Sequence, residues 1–367
     1  MPIPFVDLTL QNREVDEEVR LGIDEVIASS AFVFGSQVLQ FERDFAAFCE
    51  ARHCVGVANG TDALELMCRA AGIGPGHEVI VPTSTFVATA VAVARAGATP
   101  VLVDVDPVHN LIDPARVRSR IGPRTRAIIA VHLYGQIAPM EELEEIARQT
   151  GLLLLEDAAQ AQGARRNGRA VGSIGAAAAT SFYPSKNLGA YGDAGAVLTN
   201  DDGIAQRVRR LRNYGGEQKY DHPEMGFNSR LDTLQAVVLL AKLKRLAGWT
   251  EERRRAAERY HRLLEHLPQV TRPETLQRNE HVWHLYVIRV RDRDRVLREL
   301  HEAGIAAAVH YPVPCHLLGA FGHLGHKSGD FPVAEQASRE VLSLPIYPGI
   351  TEAQQNQVVE ALAEALR

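Results

Sequence analysis

A lysine stands at position 186 within SFYPSKNLGAYGDAG, residues 181–195, between an aromatic turn and a glycine-rich run. Burying such a side chain as an ammonium is costly, so the site either neutralises the amine or uses it. An amine with a depressed pKa is a nucleophile that can form a Schiff base with a carbonyl. Asp157 directly follows four leucines and a glutamate in LLLLED, residues 152–157, which puts a carboxylate at the tip of a buried strand. It either caps the following AAQAQ segment or faces a cationic ring nitrogen, and Gln160 reaches toward the same place. A third group is Gly60-Thr61-Asp62, where a strand-like run gives way to a helical one. The N–H groups at that junction suit a phosphate, although Thr61 or Asp62 serves equally as a plain N-cap. Ser181, at the end of another strand-like run, offers a hydroxyl to the same phosphate.

A phosphate cradle, a carboxylate for a protonated ring nitrogen and a Schiff-base lysine are the groups that pyridoxal phosphate requires. Their placement needs strands that end together. Strand-like runs lie at 53–58, 78–82, 99–105, 125–131, 152–157, 178–183 and 195–200. Helical patterns alternate with them, including 140–151, which closes on a glycine. This rhythm predicts an α/β domain with a mostly parallel sheet, whose ligands gather at the carboxyl ends of the strands. A long helical stretch follows from about residue 229, with a break expected near Gly248. Beyond it, strand-like 283–290 and a helix predict a smaller α/β domain. We place the large domain and N-terminal segment at 1–245 and the small domain at 246–367.

The net charge of −5 offers no footprint for nucleic acid, and the arginine runs at 207–212 and 252–259 read as solvated helix faces. The four cysteines form no C-x-x-C pair and match no zinc spacing, so they read as reduced thiols. His323 and His326 lack a placed carboxylate partner, and no metal site is expected. GIGPG, residues 72–76, follows a helix and lacks the dinucleotide-binding spacing. No stretch is long and apolar enough for a membrane span, and a cytoplasmic protein is expected.

The motifs GTDAL (60–64), EDAAQAQGA (156–164), SFYPSKNLGAYGDAG, NSRLDTLQA (228–236), VHYPVPCH (309–316) and LSLPIYP (342–348) run nearly end to end. With them the sequence resembles the DegT/DnrJ/EryC1/StrS family of pyridoxal-phosphate sugar aminotransferases, of fold-type I. The resemblance implies that Lys186 carries the cofactor and Asp157 pairs with its ring nitrogen. It implies that Gln160 meets the ring's phenolic oxygen, Phe86 packs on the ring, and Gly60, Thr61, Asp62 and Ser181 hold the phosphate. Asn228 matches an asparagine that reaches the phosphate in a neighbouring subunit, so a homodimer with composite sites is implied. Tyr183, Arg230, His310, Tyr311 and His316 match positions around the nucleotide-sugar substrate.

The implied activity is transfer of an amino group from L-glutamate to a nucleotide-linked keto-deoxysugar. C3 of a dTDP-3-keto-6-deoxyhexose fits best, since some relatives acting at C4 carry histidine where Tyr183 stands. C4 amination of a dTDP-4-keto-6-deoxyhexose and C3 amination of a UDP-3-keto uronic sugar are the alternatives. Dehydratases of this fold carry histidine at the lysine position, which Lys186 argues against. A regulator that only binds the cofactor is the non-enzymatic alternative.

Overall fold

The computed structural model describes residues 2–218 and 220–367. Its central sheet contains β1 (His53–Val57), β2 (Glu78–Pro82), β3 (Thr99–Val103), β4 (Thr125–Val131), β5 (Leu153–Asp157), β6 (Ala177–Ser181) and β7 (Gly195–Thr199). The seven strands lie in the order β1-β7-β6-β5-β4-β2-β3. Pairings from β3 through β6 are parallel, and β7 runs antiparallel to both its neighbours. The strands are mostly apolar because both faces of the sheet are covered. Alternation sorts their side chains: Ile80, Ile128 and Leu154 enter one core, while Val79, Val81, Ile129 and Leu155 enter the other.

Helix α1 (Gly60–Ala70) follows β1, and α2 (Ala88–Arg95) joins β2 to β3. Helix α3 (Met140–Thr150) joins β4 to β5 and stops at Gly151, whose φ of 71° is the left-handed cap that the sequence suggests. The break in the long helical stretch lies at Lys244–Arg245 rather than near Gly248. It separates α4 (Thr233–Leu243) from α5 (Leu246–Leu263), and Gly248 sits within α5 with open space around it. The turn lets Leu246 enter the large core while Ala256, Ala257 and Tyr260 enter a second one.

That second core surrounds the antiparallel pair β8 (Tyr286–Arg289) and β9 (Val341–Leu344), covered by α6 (Arg293–Glu302) and α7 (Glu352–Ala365). β8 is shorter than the expected 283–290 because Trp283 takes a left-handed φ of 47°. The N-terminal segment, expected with the large domain, joins the small core through Ile3. Its N–H donates to Gly304 O, and its carbonyl accepts from Ala306. Burial of this one isoleucine outweighs sequence proximity. Among the described residues, no helix is long and apolar enough to cross a membrane.

Candidate active site

The carboxyl ends of β4, β5 and β6 open into a cavity of about 520 Å³. Gly60, Thr61, Phe86, Asp157, Gln160, Ser181, Tyr183, Lys186, His310 and Tyr311 all line it. Residues far apart in the chain therefore meet at one place, where a parallel sheet presents its strand ends.

The strand alternation continues past β6. Ser181 and Tyr183 turn to the cavity, while Phe182 is fully buried between them. Phe182 meets Phe41 and Phe45 edge-on, with ring centroids 5.3 and 5.1 Å apart. This anchor fixes the start of the lysine loop, where the Lys186 N–H bonds back to Tyr183 O. Burial brings the Lys186 amine down to about 8, opposed by the Asp157 charge. Lys242 is also brought down to about 8 by burial, but it is spent structurally. It donates to Gly189 O at 2.9 Å, lies over the Tyr191 ring, and does not line the cavity.

Asp157 ends the buried strand β5. Thr89 Oγ1 donates to its Oδ2 at 2.7 Å, and the Ala159 N–H donates to Oδ1 at 3.2 Å. Burial pushes its carboxyl above the ordinary range against these bonds and the Lys186 charge. A cationic N–H donor in the cavity would relieve that burden, so the site fits a protonated pyridine ring. Its neighbour Glu156 accepts bonds from the N–H groups of Gly172, Ile174 and Gly175 and from His132. Burial pushes that carboxyl up, but the His132 and backbone bonds outweigh it and the group is lowered.

The phosphate end is equally specific. Asn59 caps α1 by accepting from the Asp62 N–H at 2.8 Å. The cap is therefore Asn59, not Thr61 or Asp62, and the Asp62 N–H is unavailable to a phosphate. The Asp62 carboxylate turns to Ser229 and Arg95. The Gly60 and Thr61 N–H groups, at the positive end of the helix, find no acceptor among the described residues. A Cβ on Gly60 would lie 2.5 Å from Ser181 Cβ, so only glycine lets the turn reach the serine.

Gln160 is fixed between two partners. It accepts from the Tyr134 N–H at 2.7 Å and donates to Tyr311 OH at 2.9 Å. Phe86 packs 5.7 Å from Tyr311 and leaves half its surface open, as does Tyr183. Besides Asp62, three expected site residues lie outside the cavity lining. His316 is buried outside the cavity wall, bonded to Thr83 Oγ1 at 2.9 Å and Glu335 at 3.1 Å, so it braces the loop rather than facing a ligand. Asn228 is exposed on the surface, and Arg230 lies over the exposed rings of Phe34 and Tyr214. Sequence reasoning missed Thr89, Asn187 and His284. Thr89 reaches Asp157 only through a tertiary contact, Asn187 adjoins Lys186 but its partners Val282 and His284 are distant in sequence, and His284 was read as an ordinary strand residue.

A buried, activated lysine facing a strand-end carboxylate beside a helix N-terminus defines the class: a fold-type I site for a phosphorylated pyridine aldehyde. The chain belongs to the DegT/DnrJ/EryC1/StrS aminotransferase family, whose model matches residues 13–363. It is 48% identical over 369 residues to the "pleiotropic regulatory protein" of Geobacillus stearothermophilus, covering 100% of this chain and 99% of the relative. It is 46% identical to the dTDP-3-amino-3,4,6-trideoxy-alpha-D-glucose transaminase of Streptomyces venezuelae, covering 99% of this chain and 96% of the relative. The structure of S. venezuelae DesV in complex with a ketimine intermediate superposes with a TM-score of 0.97 at 46% identity, covering 100% and 99% of the two chains. The chain is an aminotransferase.

Proposed function

We propose that this aminotransferase uses pyridoxal phosphate to move an amino group from L-glutamate to C3 of a dTDP-3-keto-6-deoxyhexose. The observation that carries the chemistry is the meeting of Lys186, Asp157 and the Gly60–Thr61–Ser181 cradle on the walls of one cavity. When bound, the cofactor supplies an electron sink for the charge left at the carbon that loses its proton. Gly60 and Thr61 N–H groups and the Ser181 hydroxyl hold its phosphate. Asp157 holds the proton on the ring nitrogen, and Gln160 keeps one amide hydrogen for the ring oxygen. Phe86 covers the ring face. Lys186, an amine near 8, would take a proton from the donor's α-carbon in the first half-reaction and, in a separate transfer, give a proton to the sugar carbon in the second.

Tyr183, His310 and Tyr311 line the outer cavity, where a nucleotide sugar enters. His316 serves that loop through Thr83. Asn228 and Arg230, with exposed Phe34 and Tyr214 beside them, complete the site of a second copy in a homodimer. We divide the chain near residue 245, with the N-terminal residues around Ile3 counted in the small domain.

The C3 reading is supported by the relative named for a dTDP-3-amino sugar and by tyrosine at position 183. The test is a panel of dTDP-3-keto and dTDP-4-keto 6-deoxyhexoses and a UDP-3-keto uronic sugar, each incubated with L-glutamate. Mass spectrometry should detect the 3-amino dTDP-sugar and 2-oxoglutarate. Turnover confined to the 4-keto or UDP sugar would replace the substrate, and no turnover with any would favour a regulator.

A further inference from the structure

His284 lines the cavity that holds Lys186, yet the chemistry above gives it no task. Its presentation is built. Trp283, before it, takes a left-handed φ of 47°, a strained state for a bulky residue. That kink is clamped from behind by Arg253, which is fully buried and donates to the carbonyls of Trp283, His284 and Ile346. From the front it is clamped by Asn187, the residue after the lysine. Asn187 Nδ2 donates to Val282 O at 3.0 Å, which turns its Oδ1 toward His284 Nδ1, 3.3 Å away.

This two-pronged amide determines the tautomer. Because Oδ1 only accepts, Nδ1 carries the hydrogen, and Nε2 is left with a bare lone pair. Among the described residues Nε2 has no hydrogen-bond partner. The charged and titratable neighbours that act most on the ring are Lys186, Arg253, His310 and His281, and each pushes it down, while the carboxylates of Asp157 and Asp193 line the same cavity. Burial first, then these neighbours, pushes the imidazole well below its ordinary value, so it stays neutral and Nε2 stays an acceptor.

We propose that His284 is a positioning residue for the reacting lysine: its Nε2, unpartnered in the resting chain, accepts a hydrogen bond from the Lys186 amine when that amine turns to react, in a tautomer that Asn187 enforces. The proposal rests on Lys186 being the reacting amine. The imidazole takes no proton; it orients the amine toward the carbon it serves. The chain thus uses adjacent residues twice, Lys186 for chemistry and Asn187 to prepare the acceptor that aims it.

The test compares wild type with His284→Phe, His284→Gln and Asn187→Ala as full-length chains. The first readout is the rate at which the cofactor-stripped protein takes up pyridoxal phosphate into its visible band, followed from pH 6 to 9. The second is the split between kcat and KM of the loaded enzyme. Loss of this buried acceptor should slow loading and kcat about tenfold to a hundredfold in His284→Phe. His284→Gln should recover most of it, Asn187→Ala should lose less than the phenylalanine variant, and KM for the nucleotide sugar should hold. Wild-type loading and kcat in His284→Phe, or a loss confined to KM, would overturn the proposal. If His284→Phe fails to fold by circular dichroism, unchanged loading in Asn187→Ala overturns it instead. Covalent loading by Lys186→Ala would show that the lysine assignment, rather than the histidine role, has failed.

Discussion

Thr89 and Asp157 are joined by a buried hydrogen bond, the hydroxyl on α2 donating to the carboxylate that ends β5 at 2.7 Å. The same hydroxyl lies 2.9 Å from Thr85 Oγ1, so it can reverse its bond without loss of a partner. This matters for Asp157→Asn, whose amide NH2 Thr89 can accept. The substitution should cost activity about a hundredfold or more, because a neutral amide cannot retain the ring proton.

Stability should move the other way in the cofactor-free protein. Burial raises the folded-state value of Asp157 above its unfolded one, so its charge costs stability once the pH exceeds both. At pH 8 Asp157→Asn should therefore melt no lower than wild type, and its relative advantage should fade as the pH falls through the raised folded-state value of Asp157 toward the ordinary carboxylate value. Thermal melts of both cofactor-free chains across that range check the sign. A variant that melts lower at pH 8 and recovers in acid would contradict it.

His316→Ala should act on the fold of its loop. The imidazole bridges buried Thr83 and Glu335, and its removal leaves buried polar groups unpaired, at about 1–3 kcal/mol. The expected result is a lowered Tm with kcat retained in the surviving folded fraction. A KM defect at unchanged Tm would return His316 to the substrate.

Much of the site was legible because strand ends announce themselves. Asp157 after its leucine run, Ser181 at the close of β6 and Gly60 at the head of α1 are marked by pattern alone, and the parallel order of the sheet brings them together. Thr89 carries no such mark, being one small residue in an alanine-rich helix. His284 was hidden because its segment reads as strand, while Trp283 departs from strand geometry under tertiary clamping. The helix break at Lys244–Arg245 lies among good helix formers and is decided by which core each side enters. The cap at Asn59 was legible in type but displaced by two or three positions from the residues first considered.

Asn228 and Lys186 should damage sites of opposite subunits. Mixed in equal amounts, inactive Lys186→Ala and Asn228→Ala chains should exchange into heterodimers in which one site carries both lesions and the other neither. With unbiased exchange, about half the dimers are mixed, so roughly a quarter of wild-type activity should return. Mass spectrometry of tagged chains verifies the mixture, and no recovery despite verified heterodimers would place both residues in one chain's site.

Two lysines, Lys186 and Lys242, are both brought to about 8 by burial, and only Lys186 lines the cavity. Borohydride reduction of the cofactor-loaded protein, followed by peptide mapping, separates them directly. The account requires the reduced cofactor on Lys186, with none on Lys242 and no covalent label in Lys186→Ala. Cofactor recovered on Lys242 or any other lysine, or a labelled Lys186→Ala protein, would contradict it.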